Sequence, residues 1–307
     1  MAETAKEIAL DENVPAMEVS GLSVKFPVRG GVFGKVQRYF TAVDDVSFTL
    51  PQGKILSVVG ESGCGKSTLV KSLVGLVPMA SGTFKLFGMD VNAASRTVNA
   101  PAQRGNASAA VGVPTQRGNA SAAVGVPTQK SCRVADLVQM IFQDPFSSLN
   151  PRQTVAEILT APLLARGVKF DAAETRAKEL LERVSLPVES LQKFPHEFSG
   201  GQRQRLCIAR SLMVRPKILL CDEVTSALDV SVQAQILHLL DDLRNEFGLS
   251  ILFISHDMQV VRALSDEVLV MYFGHVVERG AADQVLVNPQ HEYTKKLLAS
   301  VPTIKRT

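Results

Sequence analysis

The chain has no tryptophan, only three tyrosines and only four cysteines in 307 residues. Cys64, Cys132, Cys207 and Cys221 show no Cys-x-x-Cys spacing. That argues against a disulfide framework or a zinc-cysteine module and fits a reduced protein. No apolar run approaches the roughly 20 residues needed to span a bilayer. Met1–Glu7 has no signal-peptide core. An excess of one sign of charge is also lacking. The formal net charge is +3, with Lys and Arg scattered apart from Arg203 and Arg205, so nucleic acid is not an expected partner. The length suits one large domain with a lobe, or two small domains.

What the chain does have is Gly60-Glu61-Ser62-Gly63-Cys64-Gly65-Lys66-Ser67. This Gly-x-x-x-x-Gly-Lys-Ser spacing lets successive backbone N–H groups converge on phosphate oxygens. In such a loop Lys66 reaches the β- and γ-phosphates, and the Ser67 hydroxyl holds Mg²⁺. The context fits. Ile55–Val59 is an apolar run of strand length, and Thr68–Val74 reads as the helix whose N-terminus faces the phosphates.

Two further apolar runs end on chemistry. Ile218–Cys221 leads into Asp222-Glu223, and Ile251–Ile254 leads into Ser255-His256-Asp257. Near-continuous apolar runs of this length fit parallel strands covered on both faces. Ligands of such sheets sit beyond the carboxyl ends of the strands. Lys66, Asp222, Glu223 and His256 are therefore expected at one sheet edge. Asp222 suits the Mg²⁺-supporting role of a Walker B aspartate. Glu223 suits a general base that polarises water, and His256 a γ-phosphate contact.

Ser199-Gly200-Gly201-Gln202 stands upstream of Asp222 and opens the helical stretch Arg203–Arg210. Alone it is a turn into a helix. In company with the phosphate loop it is more. The chain resembles an ATP-binding-cassette (ABC) ATPase over residues 17–303. Gln143, in Met140-Ile141-Phe142-Gln143-Asp144, matches the Q-loop glutamine. Phe198–Gln202 matches the signature, with Phe in place of the commoner Leu. Asp222 and Glu223 match Walker B and its glutamate, Ser226–Asp229 the D-loop, and His256 the switch histidine.

The resemblance implies an α/β fold: a P-loop NTPase ABC cassette with a RecA-like core, an antiparallel β subdomain and a helical lobe. The cofactors implied are ATP and Mg²⁺. Glu223, His256 and Gln143 are the catalytic candidates. Ser67, Gln143 and Asp222 are the Mg²⁺ candidates. Nucleotide contacts are expected from residues 60–67 with Thr68, from an aromatic, from Ser199–Gln202 and from Asp229. Two cassettes of this family pack head to tail. Ser199 and the N–H groups of Gly200 and Gly201 would cap the γ-phosphate held by the other subunit, helped by the positive end of the helix that follows. ATP would close the dimer and hydrolysis release it.

The chain divides into a tail (1–16), the cassette (17–280) with its helical lobe at about 144–200, and a C-terminal segment (281–307). Residues 17–53 alternate apolar and polar, as antiparallel strands do. Within them Phe26 is the first choice to stack on adenine and Tyr39 the second, unless Phe26 is simply core. A hairpin is expected around Phe273-Gly274. Residues 104–116 are repeated without change at 117–129. Two copies cannot build a solenoid, and a stretch of Ala, Gly, Ser, Asn and Pro cannot bury a core. It reads as a duplication in a tolerant surface loop, with a regulatory role as the alternative. Cys64, inside the phosphate loop, is a candidate modifiable thiol.

Met140-Ile141-Phe142-Gln143-Asp144-Pro145-Phe146-Ser147-Ser148-Leu149-Asn150-Pro151 and Pro289–Leu298 resemble the importer group for dipeptides, oligopeptides and nickel. One subunit type of that group carries a C-terminal cysteine cluster for iron–sulfur, and no cysteine follows Cys221 here. The resemblance is therefore to the other type. It implies a second ABC ATPase subunit (a different chain ahead of a second copy), two transmembrane permease subunits docked near Gln143, and an extracytoplasmic solute-binding protein. The expected location is the cytoplasmic face of the inner membrane, as a peripheral subunit. The alternative is a soluble ABC ATPase of DNA repair or translation. Those carry paired cassettes, a long coiled coil or zinc cysteines, none of which is present.

Overall fold

A computed structural model describes residues 13–30, 35–91 and 134–300; the duplicated stretch 104–129 lies outside them. β1 (Met17–Gly30) and β2 (Lys35–Leu50) pair antiparallel. β3 (Ile55–Val59) leads through the phosphate loop into α1 (Lys66–Leu73). β4 (Ser81–Leu86) and β5 (Met89–Asp90) then complete a sheet of order β2-β1-β4-β5. Next come α2 (Val134–Leu137), β6 (Val138–Ile141), α3 (Pro145–Ser148), α4 (Val155–Leu164), α5 (Phe170–Arg183) and α6 (Gly200–Leu212). β7 (Ile218–Asp222), α7 (Val230–Phe247), β8 (Ser250–Ile254) and α8 (Met258–Leu264) follow. β9 (Glu267–Tyr272), β10 (His275–Ala281), α9 (Ala282–Val287) and α10 (Glu292–Ala299) end the described chain.

The second sheet has the order β10-β9-β3-β8-β7-β6. β9, β3, β8, β7 and β6 run parallel, with β10 antiparallel at one edge. Every residue of β3, β7 and β8 is buried, which explains their unbroken apolar runs. Successive side chains of a strand face opposite sides, and β3 shows the result. Ile55 joins a core with Leu206, Leu219, Ile236 and Phe253. Its neighbour Leu56 joins a second core with Phe48, Leu69 and Phe84, in which α1 packs between the two sheets.

The first of these cores also contains Val155, Leu159, Ala177 and Leu180, so the helices after Gln143 share a core with the sheet face. Local signals set their limits. Thr154 and Glu157 form a reciprocal capping box at the start of α4. Gly248, with φ +61°, ends α7 by donating its N–H to the Arg244 carbonyl. A third cluster joins Val59, Val268 and Val270 to Ala282, Val285 and Tyr293 of α9 and α10. The hairpin expected at Phe273-Gly274 joins β9 to β10. α1 begins two residues before the sequence pattern placed it, because Gly65 in a left-handed conformation lets Lys66 take the first helical position.

Candidate nucleotide site

The phosphate loop leaves β3 at Gly60, and two of its glycines cannot be replaced. Gly60 has φ +149°, and an added Cβ would lie 2.2 Å from the Met271 carbonyl oxygen. Gly65 has φ +108°, and its Cβ would lie 2.3 Å from the Ala42 carbonyl oxygen. Neighbouring backbone thus presses on the loop from β2 and from β9. Gly274 N–H donates to the Cys64 carbonyl (2.9 Å), and Asp44 N–H donates to the Gly274 carbonyl (2.9 Å). Inside the loop the Lys66 ammonium is buried and donates to the carbonyls of Gly60 (2.7 Å) and Glu61 (2.9 Å).

The other chemical groups arrive from the carboxyl ends of neighbouring strands. Spatially the order is β6, β7, β8, β3, so Gln143, Asp222 with Glu223, His256 and the phosphate loop follow one another along one edge. Ser67 Oγ donates to Asp222 Oδ1 at 2.8 Å. Burial pushes the Asp222 carboxyl up, and the Ser67 hydrogen bond with the charges of Lys71 and Lys66 hold it back. A cation here would favour the ionised form. Gln143 Nε2 donates to Glu223 Oε2 at 2.9 Å, and His256 Nδ1 lies 3.6 Å from Glu223 Oε1. Glu223 takes a left-handed backbone, φ +49°, which is uncommon outside glycine and is expected at constrained sites. Its N–H is fixed by the Ile254 carbonyl of β8 (3.1 Å).

Lys66, Ser67, Gln143 and Glu223 border a cavity of ≈ 330 Å³, whereas His256 shares a separate, smaller hollow with Glu223, Thr225 and Ser255. Residues 62, 63 and 65–68 form its floor, Gln143 and Glu223 one wall, and Phe26, Phe40 and Ala42 the other. Phe26 is partly exposed rather than core, and Phe40 is exposed. The two are direct cross-strand partners in the β1–β2 register. Tyr39, the second choice from sequence, is not on the cavity wall: it pairs with Pro27, one residue out of phase. Sequence reasoning missed Phe40. Alternation made only one of Tyr39 and Phe40 eligible, but the irregular β1–β2 register hid which one.

The donor set fits a triphosphate with a magnesium ion. The loop supplies backbone N–H groups and one ammonium. Ser67, Asp222 and Gln143 supply oxygen donors of the hard type that Mg²⁺ takes alongside phosphate oxygens and water.

A family model described as ABC transporter matches residues 43–226, more than half of the chain. The chain belongs to the ABC transporter family. Among curated proteins it is similar to the glutathione import ATP-binding protein GsiA of Salmonella paratyphi A, 44% identical over 95% of this chain and 42% of that protein. The namesake from Pectobacterium atrosepticum is 43% identical over 94% of this chain and 41% of its own length. The chain thus spans less than half the length of these relatives. Among solved structures, cbiO1 from Clostridium perfringens, part of the ABC transporter complex cbiONQ, matches with TM-score 0.67 and 22% identity. That match covers 90% of this chain and 92% of the other. An ATP-binding cassette solved as a dimer in a post-hydrolysis state with ADP and phosphate matches with TM-score 0.65 and 22% identity. It covers 87% of this chain and 98% of the other. The expected cassette fold is therefore the fold found.

Several residues singled out from the sequence stand apart from the cavity. Ser199–Gln202 do not line it. They form the start of α6, where Ser199 Oγ accepts from Gln202 N–H (3.4 Å) and Gln202 Oε1 accepts from Ser199 N–H (3.0 Å). Phe198, just before them, is buried. Asp229, expected from sequence among the nucleotide contacts, caps α7. Its carboxylate accepts from Val232 N–H (3.0 Å) and Ser231 Oγ (2.7 Å), and these bonds hold it below the usual carboxylate range. Cys64 does not fit a reactive thiol. It is buried, and burial pushes its thiol up against the opposing charge of Lys66. Cys221 is fully buried and pushed up to about 12, as an inert core thiol.

Proposed function

We propose that this chain binds and hydrolyses ATP to drive an ABC importer for peptides or a related solute. The observation that carries this reading is the carboxylate of Glu223, set between Gln143 and His256 at the wall of a cavity whose floor is the phosphate loop. Lys66 and the loop N–H groups hold the triphosphate. Ser67, Asp222 and Gln143 would hold Mg²⁺, which would neutralise charge on the phosphate oxygens. Glu223 takes a proton from the attacking water, oriented by its bond from Gln143. His256, next to Glu223 and exposed to solvent, contacts the γ-phosphate. Phe26 and Phe40 offer ring faces to the adenine.

The separation of the signature from this cavity supports a head-to-tail dimer. Ser199–Gln202 of one chain would cover the nucleotide held by another cassette, and a different gene product is preferred as that partner. An apolar groove of ≈ 300 Å³, lined by Val74, Leu76, Val138, Met140, Phe142 and Pro162, adjoins the Gln143 segment and supports docking of a permease there. No helix among the described residues is long and apolar enough to cross a membrane, so the permeases supply the path and a binding protein selects the solute. The relatives named for glutathione import favour a peptide-type solute.

The test is solute uptake with reconstituted permeases and binding protein, alongside phosphate release. Wild type should couple the two, and Lys66→Ala should lose ATP binding and uptake together. Uptake that persists without ATP binding would refute the reading.

A further inference from the structure

The C-terminal stretch Pro289–Leu298 has no task in the reading above, yet its bonds lead into the phosphate loop. Glu278 of β10 accepts from Gln290 N–H (2.7 Å) and His291 N–H (3.1 Å). His291 Nδ1 accepts from Tyr293 N–H (3.1 Å) and caps α10. Tyr293 is buried among Val59, Val268 and Val270, and its ring centroid lies 4.1 Å from that of Tyr272. Its hydroxyl accepts from Glu61 N–H at 2.9 Å, across 232 positions of chain. The carbonyl of the same Glu61 accepts from Lys66 Nζ (2.9 Å) and from Cys64 N–H (3.3 Å).

One residue of the phosphate loop therefore has its N–H held by Tyr293 and its carbonyl held by Lys66. Phenylalanine would fill the same apolar seat but offer no acceptor. Burial pushes the Tyr293 phenol up, so the hydroxyl stays neutral across the physiological range.

We propose that Tyr293 is a positioning residue for the phosphate loop: it fixes the Glu61 main chain, and through it the seat of Lys66, so that α10 braces the triphosphate site. The proposal rests on the ATP-binding reading. It assigns the C-terminal segment a part in nucleotide affinity rather than in solute choice or partner docking.

The test compares Tyr293→Phe with the control Tyr272→Phe in the full chain. The first keeps the ring and removes the acceptor. The second keeps the Tyr293 hydroxyl. Hydrogen exchange of peptides spanning residues 59–66 is followed without nucleotide, and KM for ATP and kcat are measured in the assembled transporter. Losing one hydrogen bond of ordinary net strength predicts exchange and KM each raised roughly three- to tenfold in Tyr293→Phe. The melting temperature and kcat should stay at the control's values. A KM-only effect is expected because the seat is needed equally before and during reaction. Unchanged exchange, or raised exchange with unchanged KM, overturns the proposal. Wild-type ATP binding that Tyr293→Phe leaves untouched sinks this proposal alone. A wild-type chain that binds no nucleotide sinks the ATP reading and the proposal together.

Discussion

Gln143 Nε2 donates to Glu223 Oε2 at 2.9 Å, joining the ends of two adjacent parallel strands. The bond turns one carboxylate oxygen towards the Gln143 segment and leaves the other facing His256. A permease docked beside Gln143 could therefore act on the proposed base through a single side chain.

Glu223→Gln keeps the shape and the acceptor for Gln143 but cannot take a proton. Hydrolysis should fall by roughly two to four orders of magnitude, while ATP binding persists. Size exclusion with ATP should show a trapped dimer, and phosphate release should show the loss. A fully active variant would remove Glu223 from the role of base.

Phe40→Ala should weaken ATP binding, because a base stacked on an aromatic ring is worth roughly 1–3 kcal/mol. Tyr39→Ala, on the neighbouring position, should leave affinity unchanged. Titration calorimetry of both variants decides between them, and a larger effect at Tyr39 would reject the cavity wall described above.

Cys64 should resist alkylation at neutral pH. Its raised pKa leaves less thiolate at pH 7 than an ordinary thiol has, so reactivity should climb only as the pH rises. Cys64→Ser should leave the rate of inactivation by a thiol reagent at pH 7 unchanged. Slower inactivation of that variant would show Cys64 to be reactive after all.

Deletion of residues 104–129 should leave ATPase activity nearly intact, since two identical runs of small residues offer no core. Thermal melting and phosphate release check this together. A chain that fails to fold or to hydrolyse without them would make the duplication structural.

Much of the fold was legible because its signals are local. Ile55–Val59, Ile218–Cys221 and Ile251–Ile254 read as buried strands, and each lies within a buried strand. The grouping of Lys66, Asp222, Glu223 and His256 followed from placing chemistry after such strands. The failures share one cause. Phe40 and the bond from Glu61 to Tyr293 depend on register or on contacts between distant positions. Residue type does not report them.

The sheet order has a last consequence. β8 lies between β3 and β7, so the phosphate loop and Glu223 are two strand spacings apart, about 10 Å. Such a distance changes only in whole-strand steps, because the hydrogen-bonded lattice of the sheet admits no others. Fine adjustment of reach across the bound phosphates is left to side-chain length alone. The sheet is thus a fixed gauge, and the residues at its edge are the only movable jaws.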